Sequence, residues 1–440
     1  MARLISFFVI VGLLVAGTVW LADRPGNVSL VWLGWRVDTS VPILLLALFL
    51  ALSALFAMLR LLGGIFELPG RFLANRREGR RRKGYLALTD GLAAVAAGDT
   101  DQARRLAKRA GNLLSDSSLT TLLSAQAADL SGDQEAARGH YNTLLDRPET
   151  APLGLKGLMT LALRRGDRGQ ALEFARRAYA INPETPGLAP VLFDLQAEAG
   201  QWAEAESTVT RALKQGSIDA EEGRRKRAVA LHERAGRAMA QQDEDVAWRL
   251  EQQAHNSDPG FTAAALRMAE WARRRGRPRN GLKAIETAWK VAPHPALAES
   301  YLDLSGAPSD LERVRKIEAL AKVNPDHPDS HLAIAKAALR AKLWGQARTH
   351  LGIVAKLRPS AEGYRLLAEL EEKERGDVQA AKDWLAKAAL SSADPAWHCL
   401  RCGETPVQWQ ANCPACGALD TLSWTSAAPP GPPALAATAG

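Results

Sequence analysis

Two uncharged runs near the start, glycines recurring every 34 residues through the middle, and four cysteines confined to the last tenth of the chain predict an all-α protein in three parts. These parts are a two-helix transmembrane hairpin, an α-solenoid of helix pairs and a small terminal metal knuckle.

Leu4 to Ala22 and Val41 to Leu59 are each 19 residues long and carry no charge. As helices, each reaches roughly 28 Å, close to the hydrocarbon thickness of a bilayer. A cleavable signal peptide is the rival reading of the first run, because Arg3 precedes it and small residues close it. The second run follows after 18 residues and favours a hairpin over residues 1–65, with spans 4–22 and 41–59 and a periplasmic loop 23–40. Within that loop Val28, Leu30 and Trp32 alternate like a short strand before Gly34, and Trp20, Trp32 and Trp35 suit a water–lipid boundary.

The net charge of +8 resembles that of a nucleic-acid binder, but its distribution argues against one. Arg71, Arg76, Arg77, Arg80, Arg81, Arg82 and Lys83, set against Glu78, account for six of the eight charges. This basic juxtamembrane linker, residues 66–83, follows the second span and places both termini and all later residues in the cytoplasm by the positive-inside rule. It is also positioned to attract anionic headgroups, at about 1 kcal/mol per basic residue near the surface. A pure topology signal is the alternative.

From residue 84 the signal is repetition. Gly98, Gly132, Gly166 and Gly200 are spaced 34 apart, and Ala103, Ala137, Ala171 and Ala205 stand five residues beyond them. Glycine frees a tight turn, alanine lets two helix axes approach, and a proline such as Pro183 ends the second helix. After Gly200 the frame slips by eight residues to a turn at Gln242 with Ala247 and Pro259, then continues through Gly276, Ala288 and Pro293. A shortened unit follows, with a turn near Pro308 and closure at Leu320 and Pro325. Lys342 with Ala347 and Pro359, and Gly376 with Ala381, complete about nine helix pairs over residues 84–395. These positions resemble the tetratricopeptide repeat, although its aromatic positions are thinly represented. The resemblance implies a groove for protein partners lined by first helices, with "LMTLALRR", "EWARRR" and "HLAIAKAALR" as candidates.

The run Arg273, Arg274, Arg275, Arg277 and Arg279 is the candidate partner-binding patch, fitted to an acidic peptide segment or an anionic headgroup, with Arg224, Arg225, Lys226 and Arg227 in an earlier unit. Arginines that merely complement helix C-termini are the competing explanation. The eight histidines form no metal-ligand pair on a clear helix face, and Pro328 between His327 and His331 marks a helix start. No catalytic constellation, phosphate loop or serine elbow emerges, so an enzyme is not expected.

Cys399, Cys402, Cys413 and Cys416 form two C-x-x-C pairs, each followed by glycine, within residues 396–424. Two such knuckles place four thiolates tetrahedrally at about 2.3 Å from one zinc ion, and iron is the rival for the same donors. Covalent haem needs histidine where Gly403 and Gly417 stand, and a cytoplasmic setting disfavours disulfides. Trp397, Trp409 and Trp424 are the large apolar groups available to this segment, which is expected to offer a small rigid surface to a partner. The tail, residues 425–440, is expected to be disordered.

The full arrangement, closing in "WHCLRCGETPVQWQANCPACGALDTLSW", resembles the HemY-type inner-membrane proteins ending in a zinc-ribbon or rubredoxin-like knot. That resemblance implies a membrane scaffold that organises or regulates late haem synthesis and catalyses no step. A haem or porphyrin carrier is one alternative. Similarity to the lipopolysaccharide assembly protein B type, an adaptor bringing an enzyme to a membrane protease, is another.

Overall fold

A computed structural model describes residues 26–114 and 118–426, with Gly17 and Trp20; over 60–77 and at Trp32 and Val37 it describes the backbone alone. The first expected span, apart from those two residues, and the tail from 427 onward lie outside the described residues. The chain divides into two compact units, Met1–Asp133 and Gln134–Gly440.

In the first unit, β1 (Asn27–Trp32) and β2 (Trp35–Ser40) pair antiparallel from Asn27↔Ser40 to Trp32↔Trp35. The turn passes through Leu33 and Gly34, both at positive φ, which matches the twist of a two-residue hairpin. Helix α1 (Val41–Ala97) starts with Pro42 in its first turn and ends at Gly98. Its opening stretch, Val41–Leu59, has a mean hydropathy of 2.6 and buries none of its residues, and it is long and apolar enough to cross a membrane. Residues 66–83 are not a separate linker, because the helix runs through them without a break. Leucine, alanine, arginine and glutamate favour helix strongly enough there to outweigh Gly63, Gly64 and Pro69. Near its end α1 packs on α2 (Thr100–Leu113) and α3 (Ser118–Leu130) around Ala87, Leu88, Ala103, Ala107 and Leu123.

The second unit opens with α4 (Gln134–Thr143), followed by seven helix pairs. They are α5 (Ala151–Arg164) with α6 (Arg168–Ile181), α7 (Leu188–Glu198) with α8 (Trp202–Gln215), and α9 (Ala220–Ala240) with α10 (Glu244–Ser257). Then come α11 (Thr262–Arg274) with α12 (Pro278–Val291), α13 (Pro295–Ser305) with α14 (Asp310–Ala321), α15 (Pro328–Arg340) with α16 (Trp344–Leu357), and α17 (Ala361–Arg375) with α18 (Val378–Leu390). A two-stranded sheet of β3 (Ala396–Cys399) and β4 (Leu422–Thr425) closes the unit.

The turn frame read from the sequence has a direct backbone counterpart. Gln242 and Lys342, which stand where other units carry glycine, adopt φ of 64° and 58°. Ala171, Ala205, Ala247 and Ala347 are fully buried where paired helices meet. In the α11/α12 pair that position is Gly281, and a Cβ there would lie 2.5 Å from Leu304 Cδ2 and 2.9 Å from Ala272 Cβ. His327, as expected of a helix start, caps α15 by accepting from the Asp329 amide.

Replacing Lys342 with glycine relieves the left-handed backbone and is expected to stabilise the second unit by about 1 kcal/mol. Gly281→Ala forces two helices apart and is expected to cost about 1–3 kcal/mol. Denaturant-melting midpoints of the purified variants check both signs.

Candidate metal centre

Each cysteine pair sits on a tight turn built by its own backbone. Gly403 N–H donates to the Cys399 carbonyl and Gly417 N–H to the Cys413 carbonyl, each at 2.9 Å, with both glycines at positive φ (77° and 68°). Cys399 N–H donates to Glu404 O at 2.8 Å and Cys413 N–H to Ala418 O at 2.9 Å, so the two turns share one design. Strand β3 delivers Cys399, and β4 holds Leu422 opposite it.

The four sulfurs lie within 4.8 Å of one another. Cys399 Sγ is 3.7 Å from Cys416 Sγ, and Cys402 Sγ is 3.6 Å from Cys413 Sγ. A disulfide needs about 2.05 Å. A tetrahedron with metal–sulfur bonds of about 2.3 Å has edges of about 3.8 Å, so the donor set fits a thiolate-bound divalent ion. Burial works to raise the Cys399 thiol, but donors from Thr421 and the Cys402 and Arg401 amides outweigh it and carry the thiol down to about 6. That setting favours the thiolate a metal requires at Cys399, whereas at Cys402 the Glu404 amide is outweighed by desolvation and the neighbouring cysteine sulfurs, which push that thiol up to about 12. His398 is buried beside Cys399 in β3, outside the four-sulfur cluster.

One face of the knuckle packs onto the chain itself. Arg225 of α9 donates from Nε and Nη2 to the two carboxylate oxygens of Asp420, at 2.9 and 2.8 Å, and from Nη1 to Asp258 at 3.3 Å. Its guanidinium lies 4.3 Å from the Phe261 ring centroid and 5.6 Å from that of Trp409. Trp409 meets Phe261 and His232 edge-on, at 4.6 and 5.5 Å between centroids. Beneath it His232 Nδ1 and Glu251 Oε1 are 2.6 Å apart, and Arg267 joins Glu251 to the His232 carbonyl, locking α9, α10 and α11 together. Trp397 and Trp424, opposite each other across the strand pair, enclose His294 at 5.6 and 4.2 Å. The three tryptophans therefore do not form a private core for the knuckle. A segment of this size has too little interior, and it shares one continuous hydrophobic cluster with α7–α11.

The other expected sites fare unevenly. Within the earlier basic run Arg225, Lys226 and Arg227 are held by Asp420, Asp194 and Glu206, while Arg224 is exposed. In the candidate partner patch Arg274 pairs with Glu270, and Arg275 pairs with Asp245 at 3.1 Å near the Trp248 ring. Arg273, Arg277 and Arg279 are exposed around the α11–α12 turn. Of the juxtamembrane cluster, Arg80, Arg81, Arg82 and Lys83 are exposed on α1; the side chains of Arg71, Arg76 and Arg77 lie outside the described residues. His331 and His350 bring their Nδ1 atoms to 2.9 Å from adjacent helices, a pairing that spacing within one helix does not reveal.

Fold and site together define a tetratricopeptide-like solenoid that carries an apolar helix and a terminal four-cysteine knuckle. Residues 26–132 match the family described as HemY protein N-terminus, in agreement with the resemblance drawn from the sequence. Over nearly its whole length the chain is similar to the probable magnetosome protein Mms48 of Magnetospirillum gryphiswaldense, with 29% identity covering 96% of this chain and 93% of that protein. Among solved structures, Naa15/Naa10 bound to HypK-THB aligns at 15% identity and a TM-score of 0.41, over 70% of this chain and 51% of that one. YrrB, a TPR protein with an unusual peptide-binding site, aligns at 14% identity and a TM-score of 0.29, over 40% and 88%.

Burial pushes His294 down to about 4, against a smaller upward pull from Asp329, while its Nδ1 accepts from the Ala296 amide and caps α13. The folded chain therefore holds fewer protons here than the unfolded chain between pH 4 and about 6.5. Stability from this group is complete above pH 6.5 and is lost as pH falls through that window, by about 2 kcal/mol at pH 5. Unfolding of His294→Asn, which keeps a capping side chain and does not titrate, is expected to show a correspondingly flatter dependence between pH 7 and pH 5.

Proposed function

We propose that this chain is a cytoplasmic-membrane scaffold that gathers protein partners on its solenoid, is anchored by two spans with the solenoid in the cytoplasm, and catalyses no reaction. The reading rests most directly on the seven consecutive helix pairs of the second unit, a stack of the kind that solenoids use as an extended binding surface. The exposed apolar stretch Val41–Leu59 and the basic residues that follow it support the anchor and its orientation. Resemblance to the HemY type supports a place for this scaffold in the organisation of haem synthesis. The knuckle holds one zinc ion on Cys399, Cys402, Cys413 and Cys416; its role is structural, because four thiolates leave no open coordination position for a substrate.

Three measurements test this reading. Elemental analysis of protein purified without added metal is expected to give one zinc per chain, lost on joint Cys399→Ser and Cys413→Ser substitution while the far-ultraviolet helical signal stays within a few per cent. A stoichiometric iron content with visible thiolate-to-iron bands replaces zinc by iron. Crosslinking in membranes followed by mass spectrometry is expected to recover membrane-associated enzymes as partners. Reversal of Arg273, Arg274 and Arg275 to glutamate should lower that recovery several-fold, and unchanged recovery removes the patch from the partner surface.

A further inference from the structure

The face that holds the knuckle is assembled from three successive first helices. Arg225 lies in the second turn of α9, Phe261 stands just before α11 and His294 caps α13, so the starts of three first helices grip one folded segment. Helix-pair solenoids bind partners on the extended surfaces that their stacked repeats create, and these three first helices belong to that stack. The grip is chemically specific. One aromatic side chain, Trp409, meets Phe261 and His232, and one carboxylate, Asp420, is held in both oxygens by Arg225.

The gripping groups of the knuckle are placed by its cysteines. Trp409 lies in the loop between Cys402 and Cys413, Asp420 four residues beyond Cys416, and Trp397 two residues before Cys399. Apart from the turns themselves, the short β3–β4 ladder and one bridge between Asn412 and Leu419 are what hold these loops. Asp420 N–H donates to Ala411 O at 2.7 Å, two residues from Trp409, and tetrahedral ligation by the four thiolates would brace this pairing from the turns on either side. The seam is also imperfect: His294 Nε2, Trp409 Nε1 and Trp424 Nε1 are buried with no hydrogen-bond partner among the described residues. Each unpaired buried polar group costs about 1–3 kcal/mol, so parting the seam recovers hydration for several groups.

We propose that the knuckle is a metal-dependent plug of the solenoid's own partner surface. With metal bound it fills the face across α9, α11 and α13; with metal removed it lets go, and the face takes a partner that presents a tryptophan-like side chain and a carboxylate in the same arrangement. A second copy of this chain carries that arrangement in its own knuckle and is the probe of the freed face. The inference rests on the metal and partner-surface readings of the preceding subsection.

Hydrogen exchange on the full-length protein in detergent tests it. Asp420→Lys and Arg225→Glu each leave all four cysteines in place, so both are expected to retain the wild-type metal content. Each is expected to raise exchange at residues 258–264 and 292–297 at least tenfold, and chelation of the wild type is expected to do the same. The Arg225→Glu, Asp420→Lys double variant should recover protection. Trp409→Ala, which leaves every charge in place, should raise exchange as the single charge variants do. Mixing the two single variants, differently tagged, is expected to give co-purification, because the intact Asp420 knuckle of one finds the intact Arg225 face of the other; chelator should separate them. Retained protection in chelated wild type or in Asp420→Lys overturns the plug, and failure of the mixed variants to associate overturns the recognition chemistry. A wild type that binds no metal overturns instead the metal reading on which the plug depends, so the two failures are distinguishable.

Discussion

The constraint on which the solenoid depends is the closeness of two helices at one small residue. Five positions after most turns an alanine is completely shielded, and Gly281 replaces it where the helices come nearer still. A larger side chain at these sites would hold the helices apart and open gaps along the stripe that each pair presents to the next. Close packing there lets short, alanine-rich helices bury enough surface to stack, although few of them carry the aromatic residues that usually fill such repeats.

A linear repeat array owes its stability to neighbours, since each unit touches only the one before and the one after. Arg225 and Asp420 break that rule, being 195 residues apart in the chain. Their pairing, with Trp409 against Phe261 and the two outer tryptophans about His294, closes a loop from the last helix back to the middle of the array. Three consecutive pairs are bridged by one small module. The desolvated guanidinium is matched by two carboxylates, which makes the arrangement sensitive to the loss of any one member.

Much of this was legible from the sequence because local chemistry dictates it. A 34-residue spacing of glycines fixes turns whatever surrounds them, and the frame located Gln242 and Lys342, where no glycine stands, at left-handed backbone positions. Two C-x-x-C pairs with glycine behind each likewise specify their own turns. What escaped was long-range. Nothing near Arg225 distinguishes it from Lys226 or Arg227, and Asp420 reads as an ordinary turn residue, so their union needed the fold. The same holds for the tryptophans, whose size suggested a core and whose position gave them an interface. The basic segment 66–83 reads as a linker from its charge alone, and its place inside α1 shows only in the fold.

The unbroken course of α1 has a mechanical consequence. About 25 residues separate Leu59, where the apolar stretch ends, from Gly84, where the helix enters the first packed core, a rise of about 38 Å. In the anchored arrangement the helix works as a stalk, setting both a stand-off height above the bilayer and an angular phase, since every residue turns the helix by about 100°. Inserting one residue into the stalk would lift the first repeat by only about 1.5 Å but would swing it by more than a quarter turn relative to the membrane-embedded end.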